Sequence, residues 1–245
     1  MSSNLGDRMK AYEKVSSPSL TRRVPVIIRV DGRAFHTFTK AYKFERPFDT
    51  ELHQAMGFAA LALVKDIQGA KVAYVQSDEI SVLVTDYETI ETEAWFAYDL
   101  SKVCSIAASV ATSAFTRLML GVGVLSVLDG KWPTFDARAF NVPQDDVVNY
   151  FVWRQMDATR NSIQMLGRAH FSHKELHKKN TSEIQDMLML QKGINWNDIP
   201  TWQKRGFCVR KDEEGLKTDE EMPILTQDRM YIQTLVSKEN VTNAC

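Results

Sequence analysis

Two short stretches carry the residue types best suited to chemistry, Arg29-Val30-Asp31-Gly32-Arg33 and Gln76-Ser77-Asp78-Glu79. Each places an aspartate at the end of a run rich in β-branched residues. The run Val24–Val30 stops at Asp31-Gly32, while Ala70–Val75 turns over Gln76–Glu79 and returns through Ile80-Ser81-Val82-Leu83-Val84. The second pattern is that of a hairpin with carboxylates at its tip. If the two strands lie side by side, Asp31 and Asp78 meet at one edge of the sheet. Two such carboxylates are costly to keep charged and unpaired, so a hard divalent cation is their natural partner. Mg²⁺ keeps several waters and takes one or two carboxylates plus substrate phosphates, the arrangement of a phosphoryl- or nucleotidyl-transfer site. Gly32, without a Cβ, lets a metal or phosphate approach the main chain. Taken singly, Asp-Gly after a strand is an ordinary turn and Asp-Glu at a hairpin tip an ordinary solvated pair. The matching strand context of the two is what points to chemistry.

The elements that must hold these residues follow from periodicity and punctuation. A polar helix and a Ser-Ser-Pro-Ser linker occupy residues 1–20. After the first strand, a helix is expected from about Thr50 to Ile67, capped by Asp49 or Thr50, with Leu52, Met56, Ala59, Ala60 and Leu63 on its apolar face. The hairpin comes next, then a long helix from about Glu91 to Leu118, then short strands at Val124–Leu128 and Ala137–Val142. Helices are expected at Asp145–Gly167, at His170–Glu175 and at Thr181–Leu190, the last capped by Thr181 or Ser182. Gly193–Trp202 reads as loop, and the tail as a strand or two. The order β-α-β-β-α-β-β predicts an α+β fold, an antiparallel sheet with helices on one face followed by a helical C-terminal part. No GxGxxG follows the first strand and no Walker A sequence occurs, which excludes a Rossmann or P-loop reading.

At 245 residues the chain can bury a sizeable core in one domain or two. Three widely spaced cysteines, Cys104, Cys208 and Cys245, form no CxxC, which disfavours a disulfide framework or zinc site and fits a reducing cytoplasm. Met1–Lys10 lacks the apolar core of a secretory signal, and no apolar run is expected to span a bilayer. A formal net charge of −1 argues against a generally nucleic-acid-coating protein but leaves room for a local basic groove. His170, His173 and His177 recur at helical spacing; without a carboxylate or cysteine to match, a solvated or RNA-facing helix is the better reading than a metal site. Trp153 reads as core, whereas Trp196 and Trp202 sit on loops and could stack on RNA.

In order along the chain, Arg29–His36, Phe44-Glu45-Arg46-Pro47-Phe48-Asp49, Gln76–Ser81, Ser101-Lys102, Phe135-Asp136-Ala137-Arg138 and Trp153-Arg154-Gln155-Met156-Asp157 resemble the tRNA-histidine guanylyltransferase family, more closely its Thg1-like branch. The resemblance runs from about Val26 to Phe207. It implies a palm-like catalytic domain, expected at 1–143, with 144–245 as a helical C-terminal part packed on it, in the same domain or as a second. It also implies reverse, 3′-to-5′ nucleotide addition to the 5′ end of tRNA, after a nucleoside triphosphate has activated that end. By resemblance Asp31, Asp78 and the Gly32 carbonyl hold two Mg²⁺ ions, and Glu79 joins Asp31 and Asp78 as a catalytic residue. Arg29, Arg33, Ala34, Phe35, His36, Phe44, Arg46, Ser77 and Lys102 are expected at the nucleotide. Arg46, Arg160, Asn161, Lys204 and Arg205 are expected at the tRNA. GTP, ATP and other NTPs, tRNA, and a homotetrameric, cytoplasmic, membrane-free enzyme complete the implied picture.

Three departures refine it. Arg46 stands where the family usually has lysine and keeps a cation there. Thr159-Arg160-Asn161-Ser162 replaces a His-Ile-Asn-Asn signature, which points away from strict tRNA-histidine specificity and towards template-dependent repair of tRNA 5′ ends; addition of one extra guanylate to tRNA-histidine is the alternative. Tyr98 and Asp99 stand where two arginines usually precede Ser-Lys, so the grip on the activating triphosphate must differ. More remote readings are a palm-type nucleotide cyclase, whose signature loop is missing, and a non-catalytic RNA-binding module. Against the latter, an unneeded pair of close carboxylates would cost stability.

Overall fold

The computed structural model describes residues 4–15, 18–128, 130–212 and 215–236; Cys245 and part of the acidic run at 212–214 lie outside them. Its centre is a six-stranded sheet in the order β4-β1-β3-β2-β5-β6, every pair antiparallel. The strands are β1 (Val26–Gly32), β2 (Ala70–Gln76), β3 (Glu79–Val84), β4 (Phe135–Asn141), β5 (Phe207–Asp212) and β6 (Gly215–Asp219). With the helices packed on it, this is the palm-like α+β architecture expected. Residues of the C-terminal part thus complete the same sheet: β5 covers the outer edge of β2, with Val75 level with Phe207.

Helices cover both faces of the sheet rather than one. Alternation along the strands explains this, because successive side chains point to opposite faces and both sets are apolar. Val26, Ile28, Val30, Val75, Ile80 and Val82 join one core with α3 (Thr50–Asp66) and α4 (Leu100–Gly121). Ile27, Val72, Tyr74, Leu83 and Cys208 join another with α5 (Val147–His170) and α9 (Met230–Val236). A third, smaller core ties the end of α5 to α7 (Thr181–Lys192) through Ile163, Leu166, Phe171, Ile184 and Leu188.

Asp49 caps α3 as expected, accepting from the Leu52 N–H, and Met56, Ala59, Ala60 and Leu63 are fully buried. The remaining helices are α1 (Leu5–Val15), α2 (Phe35–Ala41), α6 (His173–Leu176) and α8 (Thr201–Arg205).

Several expectations need correction. Val124–Leu128 forms no strand: Gly123 turns the chain at φ 78°, and Val127 and Leu128 end up exposed, so β-propensity there finds no partner. The long helix begins at Leu100, not Glu91, because Asp99 caps it by accepting from the Lys102 N–H. Asn180, rather than Thr181 or Ser182, caps α7, in a box with Glu183. The apolar helix α4 is, by length and composition, long enough to cross a bilayer, contrary to expectation. Here Val103, Ala107, Ala111, Phe115 and Met119 bury one side of it in the sheet's core. Trp153 is half exposed, with the Arg154 guanidinium 4.4 Å from its ring centroid.

Candidate active site

The β2–β3 connection is a two-residue turn, Ser77-Asp78, with Gln76 level with Glu79 and Ser77 at φ 49°. Strand β1 pairs along β3 with Asp31 level with Glu79, and the Gly32 N–H donates to the Asp78 carbonyl at 2.9 Å. The adjacency needed for Asp31 and Asp78 to meet is therefore present. Gly32 has a further reason to be glycine: a Cβ there would stand 2.5 Å from the Phe35 ring.

In an antiparallel sheet, residues at one register position share a face. Asp136, Asp31, Glu79 and Gln76 accordingly form one row across β4, β1, β3 and β2 on the face that α5 covers. The row behind it is Arg138, Arg29, Ser81 and Tyr74. A carboxylate row at the rim of the sheet is thus backed by arginines. Burial first, then the charges of Glu79 and Asp136, raises the Asp31 pKa, against Arg29 and Arg138. Asp78 is pushed up to about 6, by burial first and next by Asp31.

Glu79 is placed differently from its neighbours. Its two oxygens accept from Arg154 Nε at 2.8 Å and Nη2 at 2.9 Å, a buried bidentate pair. Gln76 Nε2 donates to the same carboxylate at 3.3 Å. Arg154 also donates to Asp157 Oδ2 at 3.1 Å. Glu79 is thereby committed to α5, while Asp31 and Asp78 make no ion pair among the described residues.

These groups line a cleft of about 400 Å³ that opens at the end of the sheet, between the first turns of α3 and the middle of α5. Asp49, His53 and Met56 come from α3; Arg154, Asp157, Asn161 and Arg168 from α5; Trp202, Gln203, Gly206 and Phe207 from α8 and the start of β5. The His53 ring stacks on Trp202 with centroids 4.1 Å apart, and its Nε2 lies 2.8 Å from Glu220 Oε1.

Of the residues expected at the site, Asp31, Ser77, Asp78, Glu79 and Asn161 meet in this cleft. Arg29 lies in the row beneath, its Nε 3.9 Å from Glu79. Arg160, exposed, pairs with Asp157 beside Asn161. Phe35 is core, packed on Phe38, Phe115 and Phe135, because the ring that closes over Gly32 points inward. Ala34, in the left-handed region, starts α2, and Arg33 and His36 are exposed around it, off the cleft wall. Phe44 is half buried beside a second hollow of about 360 Å³, bordered by Glu45, Asp49 and Val124, with Arg46 exposed nearby in sequence. Lys204 donates to the Asn197 carbonyl at 2.6 Å, and the Arg205 carbonyl accepts from Tyr74, so both are tied into the scaffold around α8.

Lys102 does not share the cleft within one chain. The start of α4 is held by Pro18 and Leu20, and Thr21 is held by Asn141, which is level with Val26. Asp31 lies five residues further along β1, about 17 Å of strand away. Only the middle of α4 reaches that end, where Thr112 accepts from the Phe135 N–H. Tyr98, preceding the Asp99 cap, is buried.

Reading the motifs alone missed Arg154, Asp157, His53, Trp202 and Arg168 as cleft residues. Part of the signal was present: Arg154, Asp157, Ala158, Asn161, Gln164, Met165 and Arg168 recur at three- and four-residue spacing and form one stripe of α5.

The chemistry of the donor set fits a divalent cation. Among the described residues no three His, Cys, Asp or Glu side chains gather as a complete cage. Two carboxylates raised by burial and by neighbouring carboxylates, beside the Gly32 main chain, instead suit an ion completed by water and substrate phosphate.

An antiparallel palm-like sheet presenting two carboxylates at its rim, over a cleft of nucleotide size, is an arrangement suited to nucleotidyl transfer. Comparison with known proteins makes this specific. The family model described as tRNAHis guanylyltransferase matches residues 6–143. The tRNA(His) guanylyltransferase of Schizosaccharomyces pombe is 28% identical over 244 residues, spanning 93% of this chain and 89% of that protein. A bacterial tRNA(His) guanylyltransferase-like protein solved in complex with ATP superposes with a TM-score of 0.90 at 44% identity, over 96% of this chain and 100% of its own. A bacterial protein of the same description solved with GTP gives 0.82 at 41%, over 95% and 98%. This chain belongs to the tRNA-histidine guanylyltransferase (Thg1) family and is a nucleotidyltransferase.

Proposed function

We propose that this enzyme repairs tRNA 5′ ends, adding nucleotides in the 3′-to-5′ direction against a template strand. The observation that carries the reading is the Asp31/Asp78 pair at the rim of a cleft of nucleotide size. The ATP and GTP of the two bacterial relatives support nucleoside triphosphates as ligands. The reaction has two displacements. An oxygen of the tRNA 5′-monophosphate attacks the α-phosphorus of ATP, breaking the bond to pyrophosphate. The 3′-hydroxyl of an incoming NTP then attacks the activated 5′-phosphorus, and AMP leaves. Asp31, Asp78 and the Gly32 carbonyl would hold Mg²⁺, two ions in the family reading. The metal would supply charge neutralisation at the phosphates and a more acidic 3′-hydroxyl.

The chain's own residues bind and orient. Asp31 and Asp78, both raised by burial and neighbouring charge, would gain most from a bound cation. Ser77 and Asn161 present polar groups beside them, and α3, α5 and α8 form the walls of the cleft. Repair rather than histidine-specific addition is favoured by Thr159-Arg160-Asn161-Ser162 and by the higher identity to the bacterial relatives than to the S. pombe enzyme. A homotetramer in a reducing cytoplasm belongs to the same reading, on the family resemblance and on the unpaired thiols of Cys104 and Cys208.

The test is a panel of tRNAs of several anticodons, each lacking its 5′ nucleotide, with complementary and mismatched NTPs. Comparable kcat/KM across the panel with the complementary NTP is expected. A hundredfold preference for tRNA-histidine that disappears on changing its anticodon would restore the histidine-specific reading. In the same assay Asp31→Ala and Asp78→Ala should abolish addition, and losses below about tenfold with Mg²⁺ saturating would remove both from the ligand set.

A further inference from the structure

One strongly charged surface is not used by the cleft chemistry. Between Arg168 and Lys179 the chain places Arg168, Lys174, Lys178 and Lys179, with His170, His173 and His177, against the single carboxylate Glu175, in a protein whose net charge is −1. All of these side chains are exposed.

The local structure keeps those cations available. Glu175 is spent in a capping box, its Oε2 accepting from the Ser172 N–H at 2.7 Å and from its hydroxyl at 2.6 Å. The neighbouring Glu183 accepts from Asn180 and from Lys179 Nζ, both at 2.9 Å. Arg168, Lys174 and Lys178 make no ion pair among the described residues. The segment is also firmly seated. Phe171 beneath it packs into the third core with Leu176, Ile184 and Leu188, and Lys178 is held at φ 61°, an unfavourable backbone region for lysine.

Continuity with the cleft says what such a surface meets. Arg168 lines the cleft on the same stripe of α5 as Asn161, about 10 Å further along the helix axis. Lys174 and Lys178 lie in the segment that directly follows Arg168 and that Phe171 and Leu176 seat against the third core at the end of α5.

We infer that Arg168, Lys174 and Lys178, with the histidines between them, form a phosphate track for the base-paired stem of an RNA whose 5′ end lies in the cleft. This rests on the tRNA-end reading proposed above. Contacts to phosphates position a duplex without reading its sequence, which suits an enzyme whose selectivity comes from a template.

The test is the salt dependence of tRNA binding. Lys174→Gln combined with Lys178→Asn removes two cations, asparagine being tolerant of the left-handed backbone at 178. The slope of log K against log salt should flatten by about 1.4–1.8, and binding at 0.1 M salt should weaken at least tenfold, roughly equally for different tRNAs. KM for NTP and kcat at saturating tRNA should stay unchanged. Lys174→Arg with Lys178→Arg should restore the slope. An unchanged slope in the neutralised variant, with nucleotide addition intact, overturns the track and leaves the repair reading standing. A flattened slope in the variant, with a parent protein that restores none of the truncated tRNAs, sustains the track and overturns the repair reading. Binding of the ridge to anionic phospholipid vesicles but not to tRNA overturns the RNA assignment.

Discussion

Asp31 and Asp78 show how a site is made from groups that the fold would be more stable without. Burial and proximity raise both, Asp78 to about 6. A carboxylic acid whose folded-state pKa exceeds its unfolded one binds its proton more tightly when folded. The contribution of Asp78 to the stability of the cation-free protein should therefore fall as pH rises from about 4 to about 6 and stay at its lower level above 6. Asp78→Asn should remove most of that dependence. At pH 7.5 it should raise the melting temperature by a few degrees, on the order of 1 kcal/mol after solvent screening. Thermal melts of both proteins at pH 5 and 7.5 check this, and a less stable Asn variant at pH 7.5 would contradict it. Saturating Mg²⁺ should stabilise the parent at pH 7.5 and leave the Asn variant little changed. Glu79 obeys the opposite logic, because Arg154 compensates it. Arg154→Met would strand a buried carboxylate and cost about 3–5 kcal/mol, whereas Glu79→Gln combined with Arg154→Met should recover much of that loss. A double-mutant cycle by urea unfolding with no coupling between the two positions would show that the pair does not anchor α5 to the sheet.

Among the elements, the junction of α8 with β5 has the least latitude. It delivers Trp202 and Phe207 to the cleft wall and turns on Gly206, at φ 77°, where a Cβ would stand 2.3 Å from the Val75 carbonyl oxygen. Gly193, which ends α7, has a similar φ of 67° but open space around it. The two glycines differ in backbone as well as in space: Gly193 is left-handed with ψ 21°, whereas Gly206 with ψ −167° lies in a region open essentially to glycine alone. Gly193→Ala should cost about 1 kcal/mol, the left-handed penalty alone. Gly206→Ala should cost clearly more, because β2 or α8 must move, and nucleotide addition should fall with it. Equal destabilisation of the two variants in denaturant melts would mean that the junction yields. Helix α5 acts at the same scale. One stripe of it supplies Arg154 to the sheet, Asn161 to the cleft and Arg168 to the start of the basic ridge, so a rigid rod sets their spacing.

At the scale of the whole molecule, the C-terminal part is structural as well as functional. A fragment ending at residue 143 would leave β2 as an open edge and expose Ile27, Val72, Tyr74 and Leu83, which α5 and α9 now cover. Such an edge beside an apolar face favours aggregation. The fragment should fail to give a cooperative melt or a monodisperse peak on gel filtration. A stable, soluble 1–143 fragment would show instead that the palm-like part folds by itself.

What the sequence determined by itself was local: strands ending in Asp31 and Asp78, the hairpin between Ala70 and Val84, the apolar face of α3 and its Asp49 cap. Those follow from period, turn chemistry and capping, which act over a few residues. The motif order was equally legible and led to the family. Tertiary structure alone decided which strands became neighbours and which polar groups found partners. It placed β1 beside β3, closed Arg154 on Glu79, sent Phe35 into the core and carried Lys102 to the far end of β1. It also left Val124–Leu128 without a strand to pair with. The reason is common to all of these. An ion pair, a buried ring or a strand edge draws its free energy from a partner distant in sequence, and propensity contains no record of that partner.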